Sequence, residues 1–171
     1  MYNLRACSLA FAAALISASE AAHAGLSSNM AATCSVGDPA IQNNLYTIAS
    51  GSVRHQTGKI GVVTLYCPIS PTITIGGGPH GGWFMTFVDP DGAGNNYYIE
   101  SQIIRSDQSG HVSAVSSVLS SNSPSSTNYI ERALDHTYDF ANYYYYVRVN
   151  LFRANTAALP IFYGVGVESL P

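Results

Sequence analysis

Apolar and polar residues alternate along one stretch near the C-terminal end of the chain, Tyr143–Arg153. A period of two is that of a β-strand, in which successive side chains point to opposite faces of a sheet. One set is apolar and suits a core; it consists of Tyr143, Tyr145, Val147, Val149 and Leu151. The other set mixes aromatic rings with polar groups; it consists of Tyr144, Tyr146, Arg148, Asn150 and Phe152. The pattern predicts a strand with one buried and one mixed face.

Strand-forming residues dominate the other ordered-looking segments, and clusters of Gly, Pro, Asn and Ser separate them at short intervals. Apolar residues seldom recur at helical spacing. The remaining predicted strands cover residues 45–49, 51–56, 60–67, 72–75, 83–88, 97–105, 112–119 and 161–168. Many short strands with turns between them predict an all-β protein, a single-domain antiparallel β-sandwich of about 8–9 strands, either jelly-roll or immunoglobulin-like.

The segments between these strands suggest local connections. Residues 57–59 and 89–95 are rich in turn formers, and each is predicted to close a hairpin between the strands that flank it. Residues 76–82 contain five glycines and are predicted to form a loop. One helical turn is expected around residues 130–134.

The first residues have the layout of a secretory signal peptide. Arg5 supplies one positive charge, an apolar run follows, and small residues precede Ala24. The apolar run of about 13 residues is shorter than the roughly 20 that a membrane-spanning helix needs. We therefore expect residues 1–24 to be a signal peptide, and residues 25–171 to be one domain without a membrane span. The expected location is secreted or periplasmic.

Three cysteines occur in the chain. Cys7 precedes the apolar run and would be removed with the signal peptide. Cys34 and Cys67 would then remain in a compartment where thiols oxidise, so a disulfide between them is predicted. The alternative is two free thiols or half of a metal site, but structural zinc usually takes four ligands, often with two cysteines a few residues apart.

The charge balance argues against one class of partner. Seven Lys and Arg residues and ten Asp and Glu residues give a net charge of −3 at pH 7. Proteins that bind nucleic acid normally carry a basic patch that neutralises phosphates. No nucleic acid partner is therefore expected. No cofactor is expected either.

Four short motifs carry a resemblance: LYCPI at residues 65–69, FVDPDG at 87–92, YVRVNLFR at 146–153 and YGV at 163–165. They resemble a loose group of small exported bacterial β proteins that has no assigned function. This resemblance implies a shared β fold and bacterial export. A fainter similarity is to fimbrial and spore-coat-type subunits, in which an early cysteine is bridged to one that ends a following strand. Fimbrial subunits end in an apolar strand with a terminal aromatic residue, whereas this chain ends in ESLP.

The mixed face of the 143–153 strand is the main candidate for ligand binding. Tyr144, Tyr146 and Arg148 combine aromatic rings with hydrogen-bonding groups, which suits stacking against a sugar or docking a protein. The alternative is that these tyrosines form cross-strand pairs on a half-exposed sheet. Trp83, next to the glycine-rich loop, is a further ligand-binding candidate, with a position in the core as its alternative.

A metal site is the next possibility. Asp89, Asp91 and Asn95 offer the oxygen ligands that Ca²⁺ prefers. However, Ala93 stands where a third ligand would be expected, and the downstream Glu of the familiar calcium loop is missing. A plain hairpin turn is therefore favoured, and no metal is expected.

The sequence contains no clear catalytic motif. The Gly-x-Ser-x-Gly elbow is absent. A glycosidase needs two carboxylates about 5 to 10 Å apart, and the acidic residues cannot be paired from sequence. We therefore expect a non-enzymatic exported protein that recognises a glycan or a cell-surface protein, or that has an envelope or extracellular structural role. A secreted carboxylate-dependent, glycosidase-like hydrolase and a polymerising fimbrial-type subunit are the alternatives.

Overall fold

The computed structural model describes residues 26–71, 81–122 and 128–169. The predicted signal peptide and the predicted strand at residues 72–75 lie outside these ranges. The strands are β1 (Leu26–Met30), β2 (Ser35–Val36), β3 (Tyr46–Ala49), β4 (Ser52–His55), β5 (Gly61–Pro68), β6 (Gly81–Val88), β7 (Tyr97–Asp107), β8 (Val112–Ala114), β9 (Leu119–Ser120), β10 (Tyr129–Leu134), β11 (Tyr143–Arg153) and β12 (Ile161–Ser169).

Two short helical segments lie near the start of the described chain. A 3₁₀ turn covers Ala31–Thr33, and helix α1 covers Pro39–Gln42. Asp38 caps α1, because its carboxylate accepts hydrogen bonds from two backbone N–H groups of the first turn. No helix in the described part of the chain has the length and apolarity to cross a membrane.

The strands form two antiparallel sheets of six strands each. Sheet A has the order β10-β6-β12-β4-β3, and β1 also pairs with β12. Sheet B has the order β2-β5-β11-β7-β8, and β9 also pairs with β7. One cluster of buried apolar side chains from both sheets forms the core. The all-β sandwich is confirmed, and the described ranges alone contain twelve strands, where eight or nine were expected.

Strand β11 lies in the middle of sheet B and has the two predicted faces. Tyr145, Val147, Val149 and Leu151 are between 0% and 4% exposed and belong to the core. On the opposite face Tyr144 is 70% exposed. The bounds of β11 are those that the alternation predicts.

The disulfide between Cys34 and Cys67 is present, with a Cα–Cα distance of 4.4 Å. Cys34 lies between the 3₁₀ turn and β2, and Cys67 lies on β5. The chain between them passes from β2 in sheet B to β3 and β4 in sheet A and returns to sheet B. The bond therefore closes a loop that visits both sheets.

Both predicted hairpins are wrong. Residues 56–60 connect β4 of sheet A to β5 of sheet B, and residues 89–96 connect β6 of sheet A to β7 of sheet B. The same types of turn-forming residue occur in hairpins and in loops that cross between sheets. A local hairpin does occur between β3 and β4, where Ser50 and Gly51 have φ values of 50° and 79°. Two residues with positive φ in succession are typical of a tight two-residue hairpin turn.

Three further predictions need correction. Residues 130–134 belong to β10, which pairs with β6, and form no helical turn. Residues 112–119 hold two short strands separated by an irregular stretch, where the Ser116 hydroxyl accepts a hydrogen bond from the Ile103 N–H at 2.9 Å. Gly81 and Gly82 open β6, although they were predicted to end a loop.

Candidate functional site

The predicted ligand-binding residues Tyr144, Tyr146 and Arg148 lie on the outer face of sheet B. Strand β11 carries them, with β5 on one side and β7 on the other. We call this surface the tyrosine face and define it by Ser35, Tyr66, Pro68, Gln102, Tyr144, Tyr146 and Arg148. The structure therefore brings three of the four predicted ligand-binding residues together.

Two tyrosines of this face form a shallow pocket. The rings of Tyr66 and Tyr146 meet edge to face, with centroids 5.4 Å apart and an angle of 85° between their planes. Together with Ser35 and Pro68 they line a cavity of about 360 Å³. Ser35 reaches this position because β2 pairs with β5 and places it opposite Tyr66. The pocket is thus built by three strands that are distant in sequence.

Arg148 lies beside the tyrosines of the pocket, although it does not line the cavity itself. The strand register places it directly opposite Tyr66 on β5 and Gln102 on β7. Its Nη2 donates a hydrogen bond to Gln102 Oε1 at 2.8 Å, and Gln102 Nε2 donates to the carbonyl oxygen of Ser116 at 3.0 Å. Burial and the neighbouring Tyr66 raise the pKa of the Tyr146 phenol above its usual value, and the Arg148 charge opposes this shift. The guanidinium charge therefore acts on the Tyr146 phenol, while its hydrogen bond is directed at β7.

A second aromatic pair lies further along the same face. Tyr98 on β7 and Phe152 on β11 stack with centroids 4.5 Å apart. Phe152 lies six residues after Tyr146, which corresponds to about 20 Å along a strand. Between the two pairs, the Thr64 hydroxyl donates a hydrogen bond to Asn150 Oδ1 at 2.9 Å. The face thus carries polar groups between its two aromatic pairs.

Trp83 does not belong to this site. It is 0% exposed, points inward from β6 and packs in the core. Its position in the alternation of β6, together with Met85 and Phe87, explains its burial, since these three side chains share one face of the strand. The prediction that Trp83 contacts a ligand at the surface is wrong, and its alternative as a core residue is confirmed.

The side-chain oxygens of the candidate calcium ligands Asp89 and Asn95 accept hydrogen bonds from other residues of the protein. Asp89 Oδ2 accepts a hydrogen bond from the Ser121 hydroxyl at 2.6 Å, and Asp89 Oδ1 accepts one from the Asp91 N–H at 3.3 Å. Asn95 Oδ1 accepts one from Asn122 Nδ2 at 3.1 Å. Burial raises the pKa of Asp89 to about 6, and the neighbouring Asp91 adds to the shift. Among the residues described, no group of three or more His, Cys, Asp or Glu side chains could hold a metal ion.

Another cavity, of about 470 Å³, lies where residues 56–60 meet the loop between β11 and β12. Arg153 lines it but is only 2% exposed. Its guanidinium donates hydrogen bonds to the carbonyl oxygens of Gln56 at 3.2 Å, Lys59 at 2.7 Å and Ala158 at 2.8 Å. These bonds hold two loops together, so we assign Arg153 a structural role.

One pair of carboxylates is in contact on the outer face of sheet A. Glu131 of β10 and Glu168 of β12 lie within hydrogen-bonding reach of each other, and this contact raises the pKa of Glu168. They meet above Gly82, where an added Cβ would lie 2.9 Å from Glu168 Oε1 and 3.3 Å from Glu131 Oε1. Carboxylates in contact are closer than the roughly 5 Å that separates the two groups of a retaining glycosidase. This geometry gives the hydrolase alternative no support.

Sequence reasoning missed the residues that complete the tyrosine face. Tyr66, Pro68, Gln102 and Ser35 come from β5, β7 and β2. The alternation of β5 is visible in the sequence and places Tyr66 on the face opposite the buried Val63, Leu65 and Cys67. What the sequence does not show is that β5 and β7 flank β11.

Comparison with known proteins adds little. No family model matches the chain, and no curated protein is similar to it. A solved structure of a family two carbohydrate esterase from Cellvibrio japonicus is similar at a TM-score of 0.38 and 12% sequence identity. The similarity covers 86% of this chain and 34% of that chain, so this chain spans about a third of that protein's length. Nothing about function is argued from a likeness at this level.

Proposed function

We propose that this protein binds a glycan through the tyrosine face of sheet B and catalyses no reaction there. The observation that carries the proposal is the pocket between Tyr66 and Tyr146, with Arg148 opposite Tyr66 in the strand register. Tyrosine rings present an apolar surface with a hydrogen-bonding tip, which complements the apolar faces and hydroxyl groups of a sugar. The cavity of about 360 Å³ lies within the range of small-ligand sites, roughly 300 to 1,000 Å³.

The other features of the protein suit an extracellular setting for this activity. The disulfide favours an oxidising compartment, as in secreted and periplasmic proteins. The predicted signal peptide would deliver the chain there. A secreted or periplasmic protein that recognises a glycan of the envelope or of the surroundings is therefore the function we propose.

A glycan fits the dimensions of the site better than a globular protein partner does. Protein interfaces usually bury about 800 Å² on each side. The pocket, by contrast, is lined by four of the described residues, and amide, hydroxyl and guanidinium groups follow it along the strand. A row of such groups suits an extended chain of sugar units.

The test is a glycan-binding screen with the full chain, followed by isothermal titration calorimetry with each glycan that binds. Tyr66→Ala and Tyr146→Ala should each weaken binding about 10-fold or more, because central aromatic residues of a binding site are usually worth more than 1 kcal/mol. Tyr129→Ala is the matched control, since Tyr129 is 50% exposed on β10 of sheet A and should leave binding unchanged.

Folding of each variant is checked by circular dichroism and thermal unfolding. If both pocket variants keep their fold and bind a glycan as tightly as the wild type, the site is wrong. If the wild type binds no glycan of the screen, the proposed function is wrong.

A further inference from the structure

We infer that the glycan is acidic and that Arg148 binds a carboxylate of the sugar unit held between Tyr66 and Tyr146. This inference rests on the proposed function and narrows its ligand to uronate-containing glycans.

The position of Arg148 is the first reason. It lies on β11 two residues after Tyr146 and directly opposite Tyr66 on β5. Neighbouring strands are about 4.8 Å apart, and side chains two residues apart on a strand share a face. A sugar ring seated against the two tyrosines would therefore have its substituents within reach of the guanidinium.

The charge of Arg148 is the second reason. Within the described ranges, no salt bridge includes Arg148, and its side chain has one hydrogen bond, to the neutral Gln102. A guanidinium has five N–H donors in a planar arrangement that matches the two oxygens of a carboxylate. Most of these donors remain for a ligand, and a carboxylate would also supply the missing counter-charge.

The support beneath Arg148 is the third reason. Gln102 is itself held by the carbonyl oxygen of Ser116, so that its own carbonyl oxygen is directed at Arg148. Both residues lie on the two central strands of sheet B. A side chain oriented before binding loses less conformational entropy when the ligand arrives.

Glu100 makes the distribution of charge along the tyrosine face asymmetric. It is opposite Asn150 in the register, one row further from the pocket than Arg148. The cation thus lies in the row next to Tyr146, and the anion lies one row beyond it. We place the sugar carboxylate on the pocket side of Arg148, and neutral hydroxyl groups of the next sugar unit beside Asn150 and Glu100.

The experiment compares acidic oligosaccharides with neutral partners of the same backbone. Oligogalacturonate, oligomannuronate and a glucuronate-containing oligosaccharide are each titrated into the full chain beside their methyl esters. A methyl ester keeps the sugar ring and removes the charge. Sulfated neutral oligosaccharides form a third arm, which separates a carboxylate from a sulfate.

The wild type should bind at least one acidic oligosaccharide about 10-fold or more tightly than its ester, as expected for a hydrogen bond between two charged groups. Arg148→Gln should lose this preference, because the glutamine side chain carries no charge. Lys59→Gln is the matched control, because it removes one positive charge from the exposed connection between β4 and β5 and should keep the preference. Higher salt should lower the affinity for the acidic oligosaccharide but not for its ester, since the site is open to solvent and salt screens its charges.

Equal or tighter binding of the esters, binding of sulfated ligands alone, or an Arg148→Gln variant that keeps the acidic preference would overturn the inference. In each of these cases the glycan-binding proposal itself would stand. Absence of binding to any oligosaccharide, acidic or neutral, would overturn the proposed function as well.

Discussion

Reduction of the Cys34–Cys67 disulfide should lower the free energy of unfolding by about 3.7 kcal/mol. The bond joins residues 33 apart in sequence. In the chain-entropy model, a closed loop of that length restricts the unfolded chain by about 3.7 kcal/mol at 25 °C. For a chain of this size each kcal/mol corresponds to roughly 2 to 4 °C, so the melting temperature should fall by about 7 to 15 °C.

Reduction is a better perturbation than substitution. Cys67 is 0% exposed and Cys34 is 9% exposed, so replacing them by Ala would also remove packed sulfur atoms from the core. Reduction keeps both sulfurs and removes only the cross-link. The Cys34→Ala, Cys67→Ala double variant then serves as a control, because the reductant should leave its stability unchanged.

Urea unfolding of the oxidised and the reduced protein measures the difference. Trp83 is the one tryptophan of the chain and is 0% exposed, so its fluorescence reports directly on the core. The slope of the free energy with urea should be somewhat larger for the reduced protein, because its unfolded chain exposes more surface. A loss below about 1 kcal/mol would refute the reasoning, since it would mean that the unfolded chain gains little freedom when the loop opens.

Two further predictions concern other parts of the fold. Gly164→Ala should lower the free energy of unfolding by about 1 to 3 kcal/mol, because the new Cβ would lie 2.6 Å from the backbone oxygen of Asn29. Gly166→Ala should lower it less, because the atoms nearest its new Cβ belong to the ring of Phe84, which can rotate away. Equal losses for the two variants in urea unfolding would contradict this reasoning. Asp89, whose pKa is raised to about 6, should make the protein less stable as the pH rises from about 4 to about 7, because the folded protein keeps a proton that the unfolded chain has lost. Solvent screening limits the effect to about 1 kcal/mol, and an Asp89→Asn variant that keeps the full slope of stability against pH would contradict the assignment.

Strands are predictable from this sequence where the pattern is long or strongly apolar. The prediction for β11 matches its bounds, and those for β6, β7 and β12 differ by two residues or fewer. Strand β10 is different, because Glu131, Arg132 and Leu134 favour a helix locally. Its pairing with β6 overrides that preference, and pairing partners are not visible in a local pattern.

The connections between strands are the part that local patterns miss. Residues 57–59 contain good turn formers, yet they lead from one sheet to the other. The carbonyl groups that flank this turn bond to the buried guanidinium of Arg153, nearly a hundred positions along the chain. A distant residue thus determines where the loop goes, and its contribution cannot be read from the turn itself. The same reason explains why Tyr66 was missed as a partner of Tyr146.

The contrast between the two outer faces supports the choice of sheet B for the ligand. On sheet A the central strands contain Gly82, Gly164 and Gly166, and other groups of the protein occupy the space that side chains would fill there. The carboxylates of β10 and β12 meet over Gly82, the backbone of β1 lies against Gly164, and the ring of Phe84 covers Gly166. A cavity lined by described residues on that face is about 160 Å³, below the usual range of ligand sites. On sheet B the tyrosine rings pack edge to face beside a cavity of more than twice that volume, and within the described ranges the neighbouring Arg148 has no acidic partner. A ligand should therefore respond to substitutions at Tyr66 and Tyr146 and be indifferent to Tyr129→Ala on the other sheet.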